Sequence, residues 1–263
     1  MLKLFASDLD GTLLQENNHI LAEDKRALNE LAEHQVELAI ATGRADNEIK
    51  EIYKLVKQIG HRISQNGSFV YNKQNEIIHT SVFPNEVSKI LYELIEEEQV
   101  DYLVSTADDI FIKELTPFMK KFEHLFFIPL KIENNFSFEI GQSILPSKFM
   151  IVGETEKIVF VQTAIHKRLD VAIDSYLSDK RCVDVVPKGI NKGMGLTKLI
   201  KTLAIQPEEI AVIGDSFNDI SMLQMTPHSY AISSAHPDVK KHASKVVDYV
   251  HEAISDLKRQ ELY

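Results

Sequence analysis

The sequence predicts an α/β protein with a doubly wound, mostly parallel sheet and a second, smaller α/β domain inserted into it. Two apolar strands, Leu4–Ala6 and Val36–Ala41, flank one amphipathic helix, and a helix that crosses between two strands makes them parallel. Residues 82–186 then show an α-β-β order of their own. We therefore expect a core domain of residues 1–81 and 187–263 and an inserted domain of residues 82–186.

Two carboxylates follow the first strand, at Asp8 and Asp10. The carboxyl end of a strand is where open α/β sheets bind their ligands. Because side chains alternate along a strand, we expect both carboxylates on one side and Leu9 on the other. Two such charges need a cation, a shared proton or a basic partner. Aspartate and glycine are also common in turns, so this stretch alone fits a polar turn equally well.

The elements that follow in the core have clear hydrophobic periodicity. A helix from about Glu23 leads to the second strand, which ends at Thr42, and a further helix is predicted for residues 46–59. The pair Asn66-Gly67 indicates a turn before a hairpin of residues 68–71 and 76–80.

The predicted insert begins at Pro84 and alternates between helical and strand patterns. Helices are predicted around residues 85–95, 117–127 and 156–169, and strands for residues 102–105, 110–113, 148–152, 171–175 and 182–186. Residues 131–147 have no clear pattern. Core-like elements then return, namely a helix from Lys192, a buried strand Ile210–Gly214, a short helix 218–225, and strands 231–233 and 246–248.

Four motifs resemble, in order, those of the haloacid dehalogenase superfamily phosphatases. With Asn66-Gly67 they indicate the Cof-type branch, which has a Rossmann-like core and a class IIB cap. The motifs are Asp8-Leu9-Asp10-Gly11-Thr12, a strand that ends in Thr42-Gly43-Arg44, Asn191-Lys192-Gly193, and Gly214-Asp215-Ser216-Phe217-Asn218-Asp219. Lys188 is a rival for the lysine of the third motif, but a Lys-Gly pair before a helix fits the family better.

The resemblance implies a Mg²⁺-dependent phosphatase that works through an aspartyl-phosphate. Asp8 would be the nucleophile, and Asp10 the general acid and base. The metal would be held by Asp8, the backbone carbonyl of Asp10 and Asp215, since hard cations prefer such oxygens. Asp219 would bind the metal directly or support it. The groups expected to contact or orient phosphate are Thr42, Lys192, Asn218 and the backbone N–H groups of Leu9 and Gly43.

The substrate expected from the resemblance is a small phosphate ester, because members that cleave carbon–halogen bonds lack a carboxylate at the position of Asp10. Sugar phosphates, flavin mononucleotide and pyridoxal phosphate are equal candidates. Arg44 and Asn66 are either near the substrate or structural loop residues. A sugar-phosphate mutase or phosphotransferase remains an alternative. A receiver-like signalling module is disfavoured by Asp10 and by the insert.

Composition excludes several other classes. With 263 residues and a net charge of −10, the chain lacks the basic patches that nucleic-acid and membrane-surface binders need. The single cysteine, Cys182, precludes an internal disulfide and favours a reducing compartment. The first strand begins without a leader-like segment, and no apolar run reaches the length of a membrane span. We expect a cytoplasmic protein; the sequence does not predict its oligomeric state.

Overall fold

Two β-sheets organise the chain, each within its own unit. The computed structural model describes residues 1–15 and 18–263. Within these, the first unit comprises residues 1–44, 49–79 and 191–263, and the second comprises residues 45–48 and 80–190. No helix in these described ranges is long and apolar enough to cross a membrane.

The strands are numbered in chain order. They are β1 (Leu4–Ser7), β2 (Glu37–Ala41), β3 (His61–Ser64), β4 (Phe69–Tyr71), β5 (Ile77–Thr80), β6 (Asp101–Ser105), β7 (Ile110–Ile112), β8 (Leu130–Ile132), β9 (Lys148–Val152), β10 (Ile173–Asp179), β11 (Cys182–Pro187), β12 (Ile210–Gly214), β13 (Ser229–Ile232) and β14 (Lys245–Val247). The first unit contains β1–β4, residues 77–79 of β5, and β12–β14, and the second contains β6–β11.

The helices connect these strands. They are α1 (Ala22–Glu33), α2 (Asp46–Val56), α3 (Asn85–Glu97), α4 (Phe136–Glu139), α5 (Thr155–Leu169), α6 (Lys192–Thr202), α7 (Ile220–Leu223), α8 (Pro237–Lys240) and α9 (Val250–Arg259). Helix α1 buries Leu28 and Leu31, as its helical spacing predicts.

The first sheet has the order β14-β13-β12-β1-β2-β3-β4-β5. Its strands from β14 to β3 are parallel, and β4 pairs antiparallel to β3. The predicted parallel pairing of β1 and β2 is confirmed, with Leu4 opposite Glu37 and Ser7 opposite Ile40. The strand β1 is therefore central, and its carboxyl end lies between those of β2 and β12. This arrangement confirms the predicted α/β class with a mostly parallel core sheet.

The second sheet has the order β10-β11-β9-β6-β7-β8. Its neighbouring strands pair antiparallel except for β7 and β8, which are parallel. One face packs against α3 and α5 through a core that includes Leu91, Phe149 and Ile158. On the other face a smaller apolar cluster contains Leu103, Met119 and Met150.

Some predicted elements of the chain were wrong. The helix predicted for residues 117–127 is instead two 3₁₀ turns, Met119–Lys121 and Glu123–Leu125. Tight turns there let Met119 and Phe126 reach the apolar cluster on the sheet. Helix α2 ends at Val56 rather than residue 59, because Lys57 has a left-handed φ of 56°. Helix α9 was not predicted.

Candidate active site

Three neighbouring parallel strands deliver the predicted site residues to one edge of the first sheet. Asp8 follows β1, Thr42 follows β2 and Asp215 follows β12. The backbone N–H of Asp8 donates to the carbonyl of Ile213 (3.0 Å), so the backbone hydrogen bonding between β1 and β12 extends to Asp8. The backbone of Asp8 is therefore held by the sheet.

Asp8, Asp215 and Asp219 form a carboxylate cluster in which one oxygen from each residue lies within 4.8 Å of the others. Asp8 is 4% exposed and Asp219 is fully buried. Thr12 donates its hydroxyl to Oδ1 of Asp215 (3.2 Å). Gly11 has a φ of +81°, and a Cβ there would lie 2.5 Å from Oδ2 of Asp215. Only glycine permits this close approach of the turn to the cluster.

Lys192 supplies the positive charge of this cluster. It is the first residue of α6, whose N-cap Asn191 accepts from the N–H of Met194 (2.8 Å). The Lys192 ammonium donates to Oδ1 of Asp8 (2.5 Å) and to Oδ1 of Asp219 (2.6 Å). The side chain is 1% exposed, so both contacts are made away from solvent.

The balance of buried charge in the cluster is negative. Burial and the charge of Asp219 raise the pKa of Asp8 well above its usual range, although Lys192 acts to lower it. Burial and Asp219 likewise raise the pKa of Asp215 to about 6. Burial alone would lower the pKa of Lys192, but the charges of Asp219 and Asp8 outweigh it and the pKa is raised. One ammonium thus faces three carboxylates.

This donor set fits a hard divalent cation such as Mg²⁺. Within residues 1–15 and 18–263, Asp215 forms no ion pair with a lysine, arginine or histidine; its carboxylate accepts from the Thr12 hydroxyl and lies beside the carboxyl group of Asp8. Clustered carboxylate oxygens are the ligands that such cations prefer. A bound cation would also offset the repulsion that raises the pKa values of Asp8 and Asp215.

Asp219 uses both of its oxygens within the protein. Its Oδ2 accepts from the backbone N–H groups of Asp215 and Ser216, each at 2.9 Å, while Oδ1 accepts from Lys192. The Ser216 side chain in turn accepts from the Asp219 backbone in a capping box. Asp219 therefore holds the loop after β12 in one conformation and connects it to α6.

Asp10 lies outside the carboxylate cluster and pairs with Arg44. The arginine donates from Nε to Oδ2 (2.9 Å) and from Nη2 to Oδ1 (2.7 Å), and Nη2 also donates to Asn18 (3.0 Å). The Asp10 side chain is 55% exposed. Because β1 ends at Ser7, strand alternation does not extend to Asp10, and the two carboxylates of the first motif have different environments.

The predicted phosphate contacts are distributed over the same loops. Thr42 is fully buried, and its hydroxyl accepts from the N–H of Arg44 (3.2 Å). Gly43 follows it, half-buried. Leu9 buries its side chain, and its carbonyl accepts from the N–H groups of Thr12 (3.1 Å) and Leu14 (2.8 Å). These bonds close the turn of residues 9–14, which contains Asp10.

Asn218 is 7% exposed and donates from Nδ2 to Oδ1 of Asn66 (3.0 Å). Its own Oδ1 is buried and has no hydrogen-bond partner among the described residues. The sequence predicted neither this contact nor the Arg44–Asp10 pair. From the sequence alone, Arg44 and Asn66 could either lie near the substrate or serve as structural loop residues. The Asn-Gly pair at 66–67 was the one sequence feature that indicated an unusual turn here, since asparagine tolerates a left-handed backbone.

Comparison with known proteins agrees with this arrangement. A family model described as haloacid dehalogenase-like hydrolase matches residues 5–256. An HMP-PP phosphatase from Escherichia coli O157:H7 is 26% identical over 250 residues, covering 91% of this chain and 87% of the relative.

Two solved structures are similar over nearly the whole chain. A haloacid dehalogenase-like hydrolase from Bacteroides thetaiotaomicron has a TM-score of 0.87 and 28% identity, covering 98% of this chain and all of its own. A sugar phosphatase of haloacid dehalogenase subclass IIB has a TM-score of 0.83 and 25% identity, covering 99% of this chain and all of its own. The resemblance that the four motifs indicate is thereby confirmed.

Proposed function

Because the chain belongs to the haloacid dehalogenase-like hydrolase family, we propose that it is a Mg²⁺-dependent phosphatase for a small phosphorylated metabolite. The observation that carries this proposal is the buried cluster of Asp8, Asp215 and Asp219 with Lys192. The cluster provides a carboxylate nucleophile, a cation-binding set and a fixed ammonium, which are the groups that phosphoryl transfer requires.

In the proposed reaction Asp8 attacks the substrate phosphorus. Lys192 binds Oδ1 of Asp8, so we assign the attack to Oδ2. A bond forms between Oδ2 and phosphorus as the ester bond breaks, and the electron pair of that bond leaves with the alcohol oxygen. Water then attacks the aspartyl-phosphate, which releases inorganic phosphate and restores Asp8.

Asp10 is the proposed acid and base for these two steps. It protonates the leaving alcohol and then takes a proton from the attacking water. Its exposed side chain is accessible to a substrate, but Arg44 occupies both of its oxygens. Proton transfer by Asp10 therefore requires at least one of these contacts with Arg44 to open during the cycle.

The proposed metal ligands are Asp8, Asp215 and the backbone carbonyl of Asp10. When bound, Mg²⁺ neutralises charge on the phosphate oxygens. Asp219 is better suited to support the metal than to bind it, since both of its oxygens already accept hydrogen bonds from Lys192 and the loop N–H groups. Thr42, Lys192, Asn218 and the N–H groups of Leu9 and Gly43 remain the proposed phosphate contacts.

The proposed substrate is a sugar phosphate, flavin mononucleotide, pyridoxal phosphate or a compound of the HMP-PP type. The names of the E. coli relative and of the subclass IIB structure support the HMP-PP type of compound and the sugar phosphate, respectively. We also propose that residues 1–81 and 187–263 form the catalytic core and that residues 82–186 are an inserted cap domain that selects the leaving group. The net charge of −10 disfavours binding to nucleic acid or to membrane surfaces. The single cysteine, Cys182, supports the proposal of a cytoplasmic enzyme.

The proposal is tested by phosphate release from a panel of these esters, with Mg²⁺ and with chelator. We expect release from some of the panel and loss of release on chelation. Release that survives chelation would overturn the metal assignment. Accumulation of an isomeric sugar phosphate without free phosphate would indicate a mutase instead.

A further inference from the structure

The turn that joins β3 to β4 has an unusual backbone. Gln65, Asn66 and Gly67 have φ values of 48°, 58° and 103°, and Gln65 and Asn66 are fully buried. Left-handed backbone at residues other than glycine is uncommon and persists where the surrounding structure imposes it. The contacts that hold this turn in its left-handed conformation therefore indicate its role.

The turn contacts two loops that carry proposed site residues. The N–H of Asn66 donates to the carbonyl of Thr42 and the N–H of Gln65 donates to that of Arg44, both at 2.9 Å. On another side, Gly67 lies against the residue before Lys192, because a Cβ at Gly67 would be 2.5 Å from the Asn191 carbonyl oxygen. The backbone of the turn thus holds the loop after β2 next to the start of α6.

The side chain of Asn66 reaches a third loop. Its Oδ1 accepts from Nδ2 of Asn218 (3.0 Å). This contact sets the orientation of the Asn218 carboxamide, because a flip would bring two carbonyl oxygens together. In the observed orientation Asn218 keeps an unpartnered buried Oδ1 and a second Nδ2 hydrogen, which are the atoms it has left for a ligand.

We propose that Asn66 is a positioning residue that orients Asn218 for the reaction, an inference that rests on the proposed phosphatase function. Asn66 acts through Asn218 and does not itself need to contact the substrate. A buried hydrogen-bond acceptor without a partner destabilises a folded protein. Because the contact with Asn66 holds Asn218 with its Oδ1 unpartnered, we infer that a bound ligand donates to this oxygen. The left-handed turn explains why asparagine occupies position 66.

The kinetic test uses Asn66→Gly, Asn66→Asp, Asn218→Ala and the double variant Asn66→Gly/Asn218→Ala. Glycine keeps the left-handed backbone and removes the side chain, whereas aspartate keeps an acceptor for Asn218. We expect Asn66→Gly to lower kcat roughly 10- to 100-fold, as misplaced catalytic groups do, and Asn66→Asp to restore a large part of the loss. In the Asn218→Ala background, Asn66→Gly should change kcat by less than about twofold.

A second measurement does not depend on turnover. The side-chain amide signals of Asn218 in a ¹⁵N-correlated NMR spectrum are identified as the pair lost in Asn218→Ala. We expect this pair to shift in Asn66→Gly and to stay near its wild-type position in Asn66→Asp. An unchanged pair in Asn66→Gly, or multiplicative losses of kcat in the double variant, would overturn the positioning role. If the wild type hydrolyses no ester, the proposed function fails while the NMR result still decides the role of Asn66.

Discussion

Lys192 and Asp8 form a buried ion pair in which the ammonium lies 2.5 Å from Oδ1 of the carboxylate. The two residues are far apart in sequence, and the contact joins the first turn of α6 to the end of β1. The same ammonium also binds Asp219. Lys192 therefore joins two carboxylates of the cluster and also lies beside the proposed nucleophile.

Replacement of this lysine should affect stability as well as activity. Lys192→Met leaves the Asp8 and Asp219 carboxylates buried without their cation, and breaking a buried pair in this way typically costs about 3–5 kcal/mol. We expect the free energy of unfolding, measured by urea titration in the presence of chelator, to fall by an amount of this order. Phosphate release should be lost.

Lys192→Arg is the matched control, since it keeps the charge but changes its shape and reach. It should lose less stability than Lys192→Met and still lose most activity. Added Mg²⁺ should restore part of the stability of Lys192→Met, because a divalent cation supplies charge to the same carboxylates. A free energy of unfolding equal to that of the wild type in Lys192→Met would contradict the role assigned to the ion pair.

The two aspartates of the first motif should differ in the step that they block. Asp8→Asn removes the proposed nucleophile, so we expect activity to fall at least about 10³-fold with no protein-bound phosphate. Asp10→Asn keeps the proposed nucleophile and removes the group that we propose activates water. With an activated substrate such as acetyl phosphate or p-nitrophenyl phosphate, it should accumulate phosphorylated protein, detectable by intact-mass spectrometry.

The difference follows from the structure around the two carboxylates, since Asp8 is buried beside Lys192 and Asp10 is exposed beside Arg44. Circular dichroism should show that both variants are folded. Phosphorylated protein in Asp8→Asn would mean that another residue is the nucleophile. Full turnover in Asp10→Asn would remove the acid and base role.

The sequence allowed the prediction of those parts of the site that depend on short-range pattern. Apolar runs ending before Asp8 and Thr42 predicted parallel strands that bring these two residues to one sheet edge, and a further buried strand was predicted to end before Asp215. The structure places the three residues directly after the adjacent strands β1, β2 and β12. Strand periodicity and the crossover rule are local or topological, so they can be applied without coordinates.

The parts that could not be predicted depend on side-chain partners distant in sequence. Asp10 and Arg44 are separated by 34 positions, and Asn66 and Asn218 by 152. No periodicity encodes such pairs. The helix wrongly predicted for residues 117–127 failed for a related reason, because contacts of Met119 and Phe126 with the sheet outweigh local helical preference.

Metal binding should be measurable without turnover. The cluster of Asp8, Asp215 and Asp219 is present only in the folded protein, so Mg²⁺ should stabilise the fold, by about 2.7 kcal/mol at 100 times its dissociation constant. We expect the midpoint of thermal unfolding to rise with Mg²⁺ in the wild type and to rise much less in Asp215→Asn.

Asp256→Asn is a suitable control for this measurement, since Asp256 belongs to ion pairs with Lys245 and Arg259 and not to the cluster. It should keep the full Mg²⁺ response. An equal rise in Asp215→Asn and the wild type would show that the cation binds elsewhere.

The environment of His61 indicates that the free energy of unfolding depends on pH for a reason that does not involve the carboxylate cluster. The ring is fully buried; Nε2 lies 2.5 Å from Oε2 of Glu37, and Nδ1 accepts from the N–H of Lys73 (3.2 Å). Nδ1 must therefore be unprotonated, and Nε2 carries the hydrogen that Glu37 accepts. Burial lowers the pKa of His61 below its usual value of 6.5, although Glu37 acts to raise it.

Because the folded pKa of His61 is lowered, the unfolded chain takes up a proton at a higher pH than the folded one. The contribution of neutral His61 to the free energy of unfolding is thus fully present above about pH 6.5 and is lost as the pH falls toward the pKa of the folded protein. The loss is no more than about 1.4 kcal/mol per pH unit. We expect urea unfolding between pH 8 and 5.5 to show this loss. His61→Gln, which can still donate to Glu37 but does not titrate, should have a smaller slope below pH 6.5. Identical slopes in the two proteins would mean that His61 is not the titrating group.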